Sequence, residues 1–161
     1  MFSIVTGRFN TETLETNYNY RQKHGFECMY CVPNELSSKI SYNTPVFVIE
    51  MNNSTNKIEG IGLIKNKITT DRYYKVHRDG NTNRYIYIGN HFINRRTIEE
   101  YNPVLADILD DCLFKGRTHS KRGSGLSIFP EKILHVQLTN GNDIKKEIKT
   151  IFVYIFREKK E

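Results

Sequence analysis

Two apolar segments joined by a polar loop constrain the fold of this chain more than any other feature. Residues 45–51 are apolar at nearly every position, which is typical of a strand that is covered on both faces. After the polar residues 52–56, a second apolar segment follows at 57–64 and contains Gly60 and Gly62. This pattern predicts an antiparallel hairpin at the centre of the fold, with a bulge or sharp bend near the glycines.

Further strand patterns lie on both sides of this hairpin. Residues 2–9 are rich in β-forming side chains, and residues 126–130 have the pattern of a short strand that ends at a proline. Residues 72–77 and 84–88 are separated by an Asp-Gly turn signal, so they predict a second hairpin. Residues 144–156 are apolar with basic interruptions, and the sequence leaves open whether they form a helix or a last strand.

Helix signals occur between these strands. Residues 10–23 are polar, and Asn10 can cap a short helix there. Residues 33–40 begin with a proline and have apolar side chains four positions apart, which predicts a second helix. Residues 103–114 follow Asn102 and have apolar side chains at helical spacing. Strands and helices together predict the α+β class.

Length and composition fit one domain of ordinary size. The chain has 161 residues, of which 38% are hydrophobic, so it can bury a core without a disulfide or a metal. We therefore treat residues 1–161 as a single domain. Its abundant Asn, Ile, Lys and Tyr use A/T-rich codons, which suggests an A/T-rich genome such as that of a large DNA virus or a protist.

The same composition predicts a cellular compartment. Three cysteines, an odd number, fit a reducing compartment better than a disulfide framework. No apolar run reaches the ~18 residues of a transmembrane helix, and the first residues lack the apolar stretch of a signal peptide. We expect an intracellular protein, in the cytoplasm or nucleus of a host cell or in a virion, with no membrane partner.

The positive charge is concentrated in one glycine-rich segment, residues 115–125, which we call the basic loop. The net charge of +6 favours a polyanionic partner. The basic loop has cations and no acid, and its glycines and hydroxyl groups can approach phosphate oxygens. The nucleic-acid-binding residues predicted in it are Lys115, Arg117, His119, Ser120, Lys121, Arg122 and Ser124. The alternative is a solvated loop without a partner, and the order of a Walker A loop is missing.

Tyrosines beside arginines form the second candidate feature. Tyr73 and Tyr85 belong to the predicted second hairpin and follow Arg72 and Arg84 directly. Aromatic rings can stack bases while neighbouring cations hold the sugar–phosphate backbone. We therefore predict that both tyrosines bind nucleic acid. The alternative is that they pack in a strand core.

The sequence contains no clear metal site or catalytic constellation. Cys28 and Cys31 have the spacing of a zinc pair, but Cys112 stands alone, so we predict that the cysteines are small buried residues. We predict no metal and no other cofactor. Neither a Gly-x-Ser-x-Gly nor a His-Glu-x-x-His motif is present, so the pattern does not favour an enzyme.

The order of these segments resembles that of the PUA-like superfamily, especially its EVE, YTH and ASCH branches. The resemblance is carried by residues 43–49, by the glycine-containing residues 60–64, and by residues 102–107 followed by 126–130. It implies a β-pseudobarrel of about five to six mostly antiparallel strands with flanking helices. It also implies binding of RNA or of modified bases.

The chain departs from this family in two respects. It has no tryptophan, so a base cage would consist of Tyr or Phe, and the basic loop is longer than the corresponding link of the family. ASCH relatives include hydrolases of modified nucleosides, but we do not place their catalytic set on matching positions here. We therefore predict a module that binds RNA or DNA and reads a base, which can be a modified one, in a pocket lined by Tyr or Phe. The alternatives are a nucleoside or nucleic-acid hydrolase on the same fold and a virion structural or protein-interaction domain.

Overall fold

The computed structural model describes residues 1–158 and has a mixed α+β fold, which confirms the predicted class. Within this range the chain forms seven strands in two sheets and five helices. Their order along the chain is β1 (Ser3–Phe9), α1 (Thr11–His24), β2 (Cys28–Val32), β3 (Pro45–Asn52), β4 (Lys57–Lys65), β5 (Tyr85–Gly89), β6 (His91–Asn94), α2 (Arg95–Tyr101), α3 (Pro103–Phe114), β7 (Leu126–Ile128), α4 (Glu131–Thr139) and α5 (Ile144–Glu158).

A five-stranded sheet with the order β6-β4-β3-β1-β7 forms the centre of the fold. β3 and β4 pair antiparallel, so the predicted central hairpin is confirmed. β1 pairs parallel with β3 and antiparallel with β7. The β3–β4 register shifts between Glu50 and Met51, whose partners are Gly60 and Ile58. Glu59 is therefore the extra residue, and the irregularity lies beside a glycine as predicted.

A two-stranded sheet of β2 and β5 forms the second layer of strands. Residues 85–89 of β5 pair antiparallel with residues 28–32 of β2, so the predicted hairpin of 72–77 with 84–88 is wrong. Residues 72–77 form no strand, because β5 takes β2 as its partner, and the turn between His77 and β5 is held by the side-chain amide of Asn83. This amide donates to the His77 carbonyl oxygen at 2.6 Å and accepts from the His77 N–H at 2.9 Å.

Three apolar clusters hold the layers together. Phe47 and other residues on one face of the five-stranded sheet pack against α2, α3 and α5. Val48, on the opposite face, packs against Tyr30 between the two sheets. Met29, on the outer face of the second sheet, packs against Tyr74. Alternate side chains of the five-stranded sheet therefore enter two separate cores, one on each of its faces.

The two sheets approach most closely at two glycines. A Cβ on Gly62 would collide with the hydroxyl of Tyr30. A Cβ on Gly89 would collide with the carbonyl oxygen of Leu63 and lie 2.8 Å from Cys28 Sγ. These glycines set the distance between β4 and the second sheet. Within residues 1–158 the two sheets remain separate in their hydrogen bonding, so no closed barrel is formed.

Two predicted helices are confirmed. In α1, the Asn10 side chain accepts a hydrogen bond from the Thr13 N–H at 2.8 Å, and Gly25 ends the helix with φ 74°. α3 spans residues 103–114 as predicted, and Asn102 caps it by accepting from the Leu105 N–H at 3.1 Å. The C-terminal segment, which the sequence left open, is the helix α5.

The helix predicted at residues 33–40 is wrong, because these residues form turns. Leu36 and Ile40 are both buried between the sheets, so their spacing reflects burial in a loop and not a helical face. The N–H of Leu36 donates to the hydroxyl of Tyr87 at 2.9 Å, so a side chain replaces the helical partner of this amide.

A buried ion pair fixes α1 to both sheets. Arg21 Nη2 lies 2.6 Å from Glu50 Oε2, and the two side chains are 5% and 0% exposed. Tyr18 of α1 and Tyr30 of β2 donate their hydroxyl groups to the same carboxylate at 2.6 and 2.7 Å. Since Glu50 belongs to β3, one carboxylate joins a helix and two sheets. This network holds α1 in place, and the first turns of α1 border the site described next.

Candidate functional site

A cleft of about 1110 Å³ opens between the β1–α1 junction and two loops. The β1–α1 wall carries Arg8 and Glu12. The second wall is formed by residues of the loop between Val76 and Arg84. The third wall is formed by residues 123–126, so the end of the basic loop faces the cleft. Ligand pockets for small molecules have volumes of about 300–1,000 Å³, so this cleft is large enough for an extended ligand.

Arg8 joins the first wall to the basic loop. Its Nε donates to the carbonyl oxygen of Ser120 at 2.5 Å, and its Nη1 donates to the hydroxyl of Ser127 at 3.0 Å. The guanidinium lies 3.5–3.7 Å from the place that a Cβ on Gly123 would take. The side chain is half-buried, and this burial lowers the pKa of its guanidinium. Within residues 1–158 it has no carboxylate partner.

The basic loop is attached at its base and turned by glycines at its end. The side-chain amide of Asn53 donates to the Lys121 carbonyl oxygen at 3.0 Å. Gly123 and Gly125 have φ angles of 107° and 72°, in the left-handed region that favours glycine. The backbone at residues 123–125 therefore passes the guanidinium of Arg8 without a Cβ in between, and Ser124 stands between the two glycines.

The structure separates the residues of the basic loop that were predicted to bind nucleic acid together. Ser124 lines the cleft. Lys115 lies outside it and pairs with Asp111 at 2.7 Å on the exposed surface. Arg117 and Arg122 are exposed and make no ion pair within the described range. The predicted loop site is therefore one cleft residue and a set of outer cations, of which Lys115 is already paired.

The remaining predicted loop residues serve the loop itself. His119 Nδ1 accepts the N–H of Lys121 at 3.2 Å, so only its Nε2 is left as a donor for a ligand. Ser120 donates its N–H to the Leu113 carbonyl oxygen at 2.7 Å and accepts from Arg8 with its own carbonyl oxygen. Lys121 is partly buried. These contacts give the loop its shape.

The opposite wall carries more positive charge. Arg78 and Arg84 are exposed, line the cleft and make no ion pair within residues 1–158. His77 is half-buried, and this burial lowers the pKa of its imidazole. Asp79 also lines the cleft, but its Oδ1 accepts the N–H of Asn81 at 2.9 Å and holds a turn.

The predicted tyrosines do not line the cleft. Tyr73 is 68% exposed outside it. Tyr85 is half-buried beside the inter-sheet core, and the guanidinium of Arg84 lies 5.6 Å from its ring centre. Phe9 and Tyr30 are the aromatic residues that line the cleft. The sequence feature that could have identified Phe9 as a cleft residue is its place at the end of the first predicted strand, next to Arg8.

Several reactive side chains have structural roles. Cys28 and Cys31 are free and buried in β2, where burial raises the pKa of each thiol to about 12. Glu50 accepts three hydrogen bonds in the core and does not border the cleft. Among residues 1–158, no group of three or more His, Cys, Asp or Glu side chains could hold a metal ion.

Comparisons with models of protein families, with curated proteins and with solved structures find no match to this chain. In the part that the structure describes, none of the helices combines the length and the apolar character needed to cross a bilayer. The geometry of the cleft is the basis for a functional proposal.

Proposed function

We propose that this protein binds nucleic acid and that its cleft holds the phosphates. The observation that carries the proposal is the half-buried guanidinium of Arg8, which borders the cleft without a carboxylate partner in the described range. A partly dehydrated cation is stabilised by an anion that comes within hydrogen-bond distance. A phosphate group supplies such an anion, and the glycine-containing backbone at residues 123–125 borders the same cleft.

The distribution of charge supports a polymer with more than one phosphate. Arg78 and Arg84 face the cleft from the opposite wall, and Arg117 and Arg122 are exposed on the basic loop. These cations are unpaired within residues 1–158; two of them border the cleft, and the other two belong to the loop whose end borders it. Cations along a groove are how proteins follow a sugar–phosphate backbone. Phe9 borders the same cleft and offers a ring to a base.

We also propose that the fold is a PUA-like pseudobarrel. The closeness of β4 and β5 supports this, because Gly89 packs directly on the Leu63 carbonyl oxygen. All seven strands take part in antiparallel pairs, and β1 and β3 are in addition parallel to one another. An experimental structure in which β4 and β5 stay packed against each other along their length would support a pseudobarrel, and separated strands with solvent between them would contradict it. The free cysteines support a reducing compartment as the site of action.

A binding experiment with charge-matched variants tests the proposed cleft. The variant Arg78→Ala/Arg84→Ala removes two cleft cations, and Lys39→Ala/Lys146→Ala removes two exposed cations elsewhere. Affinity for fluorescent single-stranded RNA, single-stranded DNA and duplex is measured by anisotropy between about 50 and 200 mM salt. We expect the cleft variant to bind more weakly and to lose about 1.4 from the salt slope on a single strand, about 0.7 for each phosphate contact.

The control variant should keep the wild-type slope. Equal losses in both variants would show that binding follows net charge and not the cleft. Absence of binding by the wild-type protein at low salt would overturn the proposal. The variant Arg117→Ala/Lys121→Ala tests the basic loop in the same assay, and we expect it to weaken binding to all sequences alike.

A further inference from the structure

One carboxylate in the cleft has no role in the proposed phosphate site. Glu12 lies in the first turn of α1, is exposed and borders the cleft. Within residues 1–158 its carboxylate has neither a hydrogen-bond partner nor an ion pair, although three arginines border the same cleft. Asp79 differs, because its Oδ1 is occupied by a turn. A free carboxylate repels phosphate and attracts N–H donors.

The position of Glu12 is fixed. The reciprocal hydrogen bonds of Asn10 and Thr13 hold the first turn of α1, at 2.8 and 3.0 Å. The buried pair of Arg21 and Glu50 holds the middle of the same helix. The helix dipole also stabilises an acid in the first turn of a helix. This effect is the same whether or not the acid borders a cleft, so it does not account for the place of Glu12 in the cleft wall. The cleft thus presents arginines from two walls and, at Glu12 on the wall of Arg8, a free acceptor.

The chemistry of a base edge limits what Glu12 can contact. The cleft of about 1110 Å³ exceeds the range of about 300–1,000 Å³ of small-molecule pockets, so a nucleotide fits in it. In a duplex the Watson–Crick edge of each base is covered by its partner, whereas an unpaired base presents that edge to protein side chains. A single strand meets this condition, with its phosphates at the arginines and an unpaired base directed to Glu12.

We propose, on the basis of the phosphate site described above, that the cleft takes a single strand and that Glu12 selects guanine. The Watson–Crick edge of guanine presents two adjacent N–H donors, which match the two oxygens of a carboxylate. Adenine and cytosine each present one amino donor next to an acceptor, and uracil presents one N–H between two carbonyl oxygens. A carboxylate therefore gains two hydrogen bonds from guanine and meets a repulsive acceptor on each other base.

Base substitution at one position tests this proposal. Four RNA hexamers are identical except for a central guanine, inosine, adenine or cytosine, and the guanine hexamer is also tested as DNA and as a duplex with its complement. Inosine lacks only the exocyclic amino group. Wild-type protein should bind the guanine hexamer about tenfold more tightly than the adenine hexamer, within the range measured for bidentate base contacts. Inosine should lie between them, and the duplex should bind more weakly than the single strand.

Glu12→Gln supplies the matched variant, and Glu15→Gln, on an exposed residue of the same helix outside the cleft, is the control. Glu12→Gln should reduce the preference for guanine to less than twofold while binding of the adenine hexamer stays equal or becomes tighter. Glu15→Gln should keep the full preference. Thermal unfolding of both variants shows that α1 remains folded.

The outcomes separate this proposal from the proposed function. Binding of all hexamers with equal affinity, or a preference that survives Glu12→Gln, would overturn the role of Glu12, and so would stronger binding of the duplex. In each of these cases sensitivity to Arg78→Ala/Arg84→Ala would leave the phosphate site intact. Binding that ignores the arginine variant would overturn the phosphate site itself. The DNA hexamer shows whether the 2′-hydroxyl contributes.

Discussion

Removal of Arg21 should destabilise the protein strongly, because it leaves a carboxylate buried without its cation. Glu50 is fully buried and lies 2.6 Å from the Arg21 guanidinium, whose own side chain is 5% exposed. Breaking a buried ion pair by removing one partner costs about 3–5 kcal/mol of unfolding free energy. For a chain of this length, each kcal/mol lowers Tm by about 2–4 °C. We therefore expect Arg21→Ala to lower Tm by about 6–20 °C.

Calorimetry and urea unfolding of Arg21→Ala measure this loss, and two further variants identify its cause. Adding Glu50→Gln to Arg21→Ala should restore part of the stability, because the uncompensated charge disappears while Tyr18 keeps an acceptor. Arg96→Ala breaks an exposed pair with Glu100, whose side chains are 88% and 62% exposed, and should change stability by less than about 1 kcal/mol. A loss below 1 kcal/mol in Arg21→Ala, or no recovery in the double variant, would refute the buried pair.

Three further predictions concern packing, thiol reactivity and pH. Gly89→Ala should lower Tm markedly, because its Cβ would collide with the Leu63 carbonyl oxygen. Gly116→Ala has open space around its Cβ, so its loss of Tm should come only from the strain of a positive φ; thermal unfolding compares the two variants. The thiols of Cys28 and Cys31 should resist a thiol reagent at pH 8 until the protein unfolds, because burial raises their pKa to about 12, and rapid labelling of the native protein would contradict this. Burial lowers the pKa of His77, so the unfolded chain binds the proton more readily than the folded one. The free energy of unfolding should therefore keep its full value above the unfolded pKa of about 6.5 and decrease as the pH falls below it. His77→Gln should flatten that dependence in urea unfolding between pH 5 and 7.5, and an unchanged slope would contradict it.

Local patterns were sufficient where one element determines its own structure. The apolar run at residues 45–51 predicts β3 because a doubly covered strand needs no alternation. Asn10 and Asn102 identify the starts of α1 and α3, since helix caps are made by neighbouring residues. These features depend on contacts only a few residues apart, which a sequence displays directly.

Features that depend on distant contacts could not be predicted in this way. β5 pairs with β2, more than 50 residues earlier, and not with its neighbour in the chain. The side chain of Asn83 holds the turn at residues 77–83 by two hydrogen bonds to His77, without a strand before it. Leu36 and Ile40 have helical spacing, but the space between the sheets accounts for their burial.

The candidate site likewise combines features that the sequence displays with features that depend on distant contacts. The excess of positive charge and the glycines of the basic loop are visible in the sequence, and Ser124 does border the cleft. Arg8 stands more than 100 residues away from Ser120, to which it is hydrogen-bonded, so no local pattern marks it as part of the site. Tyr73 and Tyr85 were predicted from a hairpin that does not form, and Phe9 borders the cleft in their place.

An NMR titration tests the central claim most directly. A single-stranded RNA hexamer with one guanine is added to 15N-labelled protein, and the backbone amides and arginine Nε resonances are followed. The account predicts that the Nε of Arg8 and the amides of residues 123–125 shift first and most. Largest shifts at α5, with Arg8 and residues 123–125 unmoved at saturation, would contradict it.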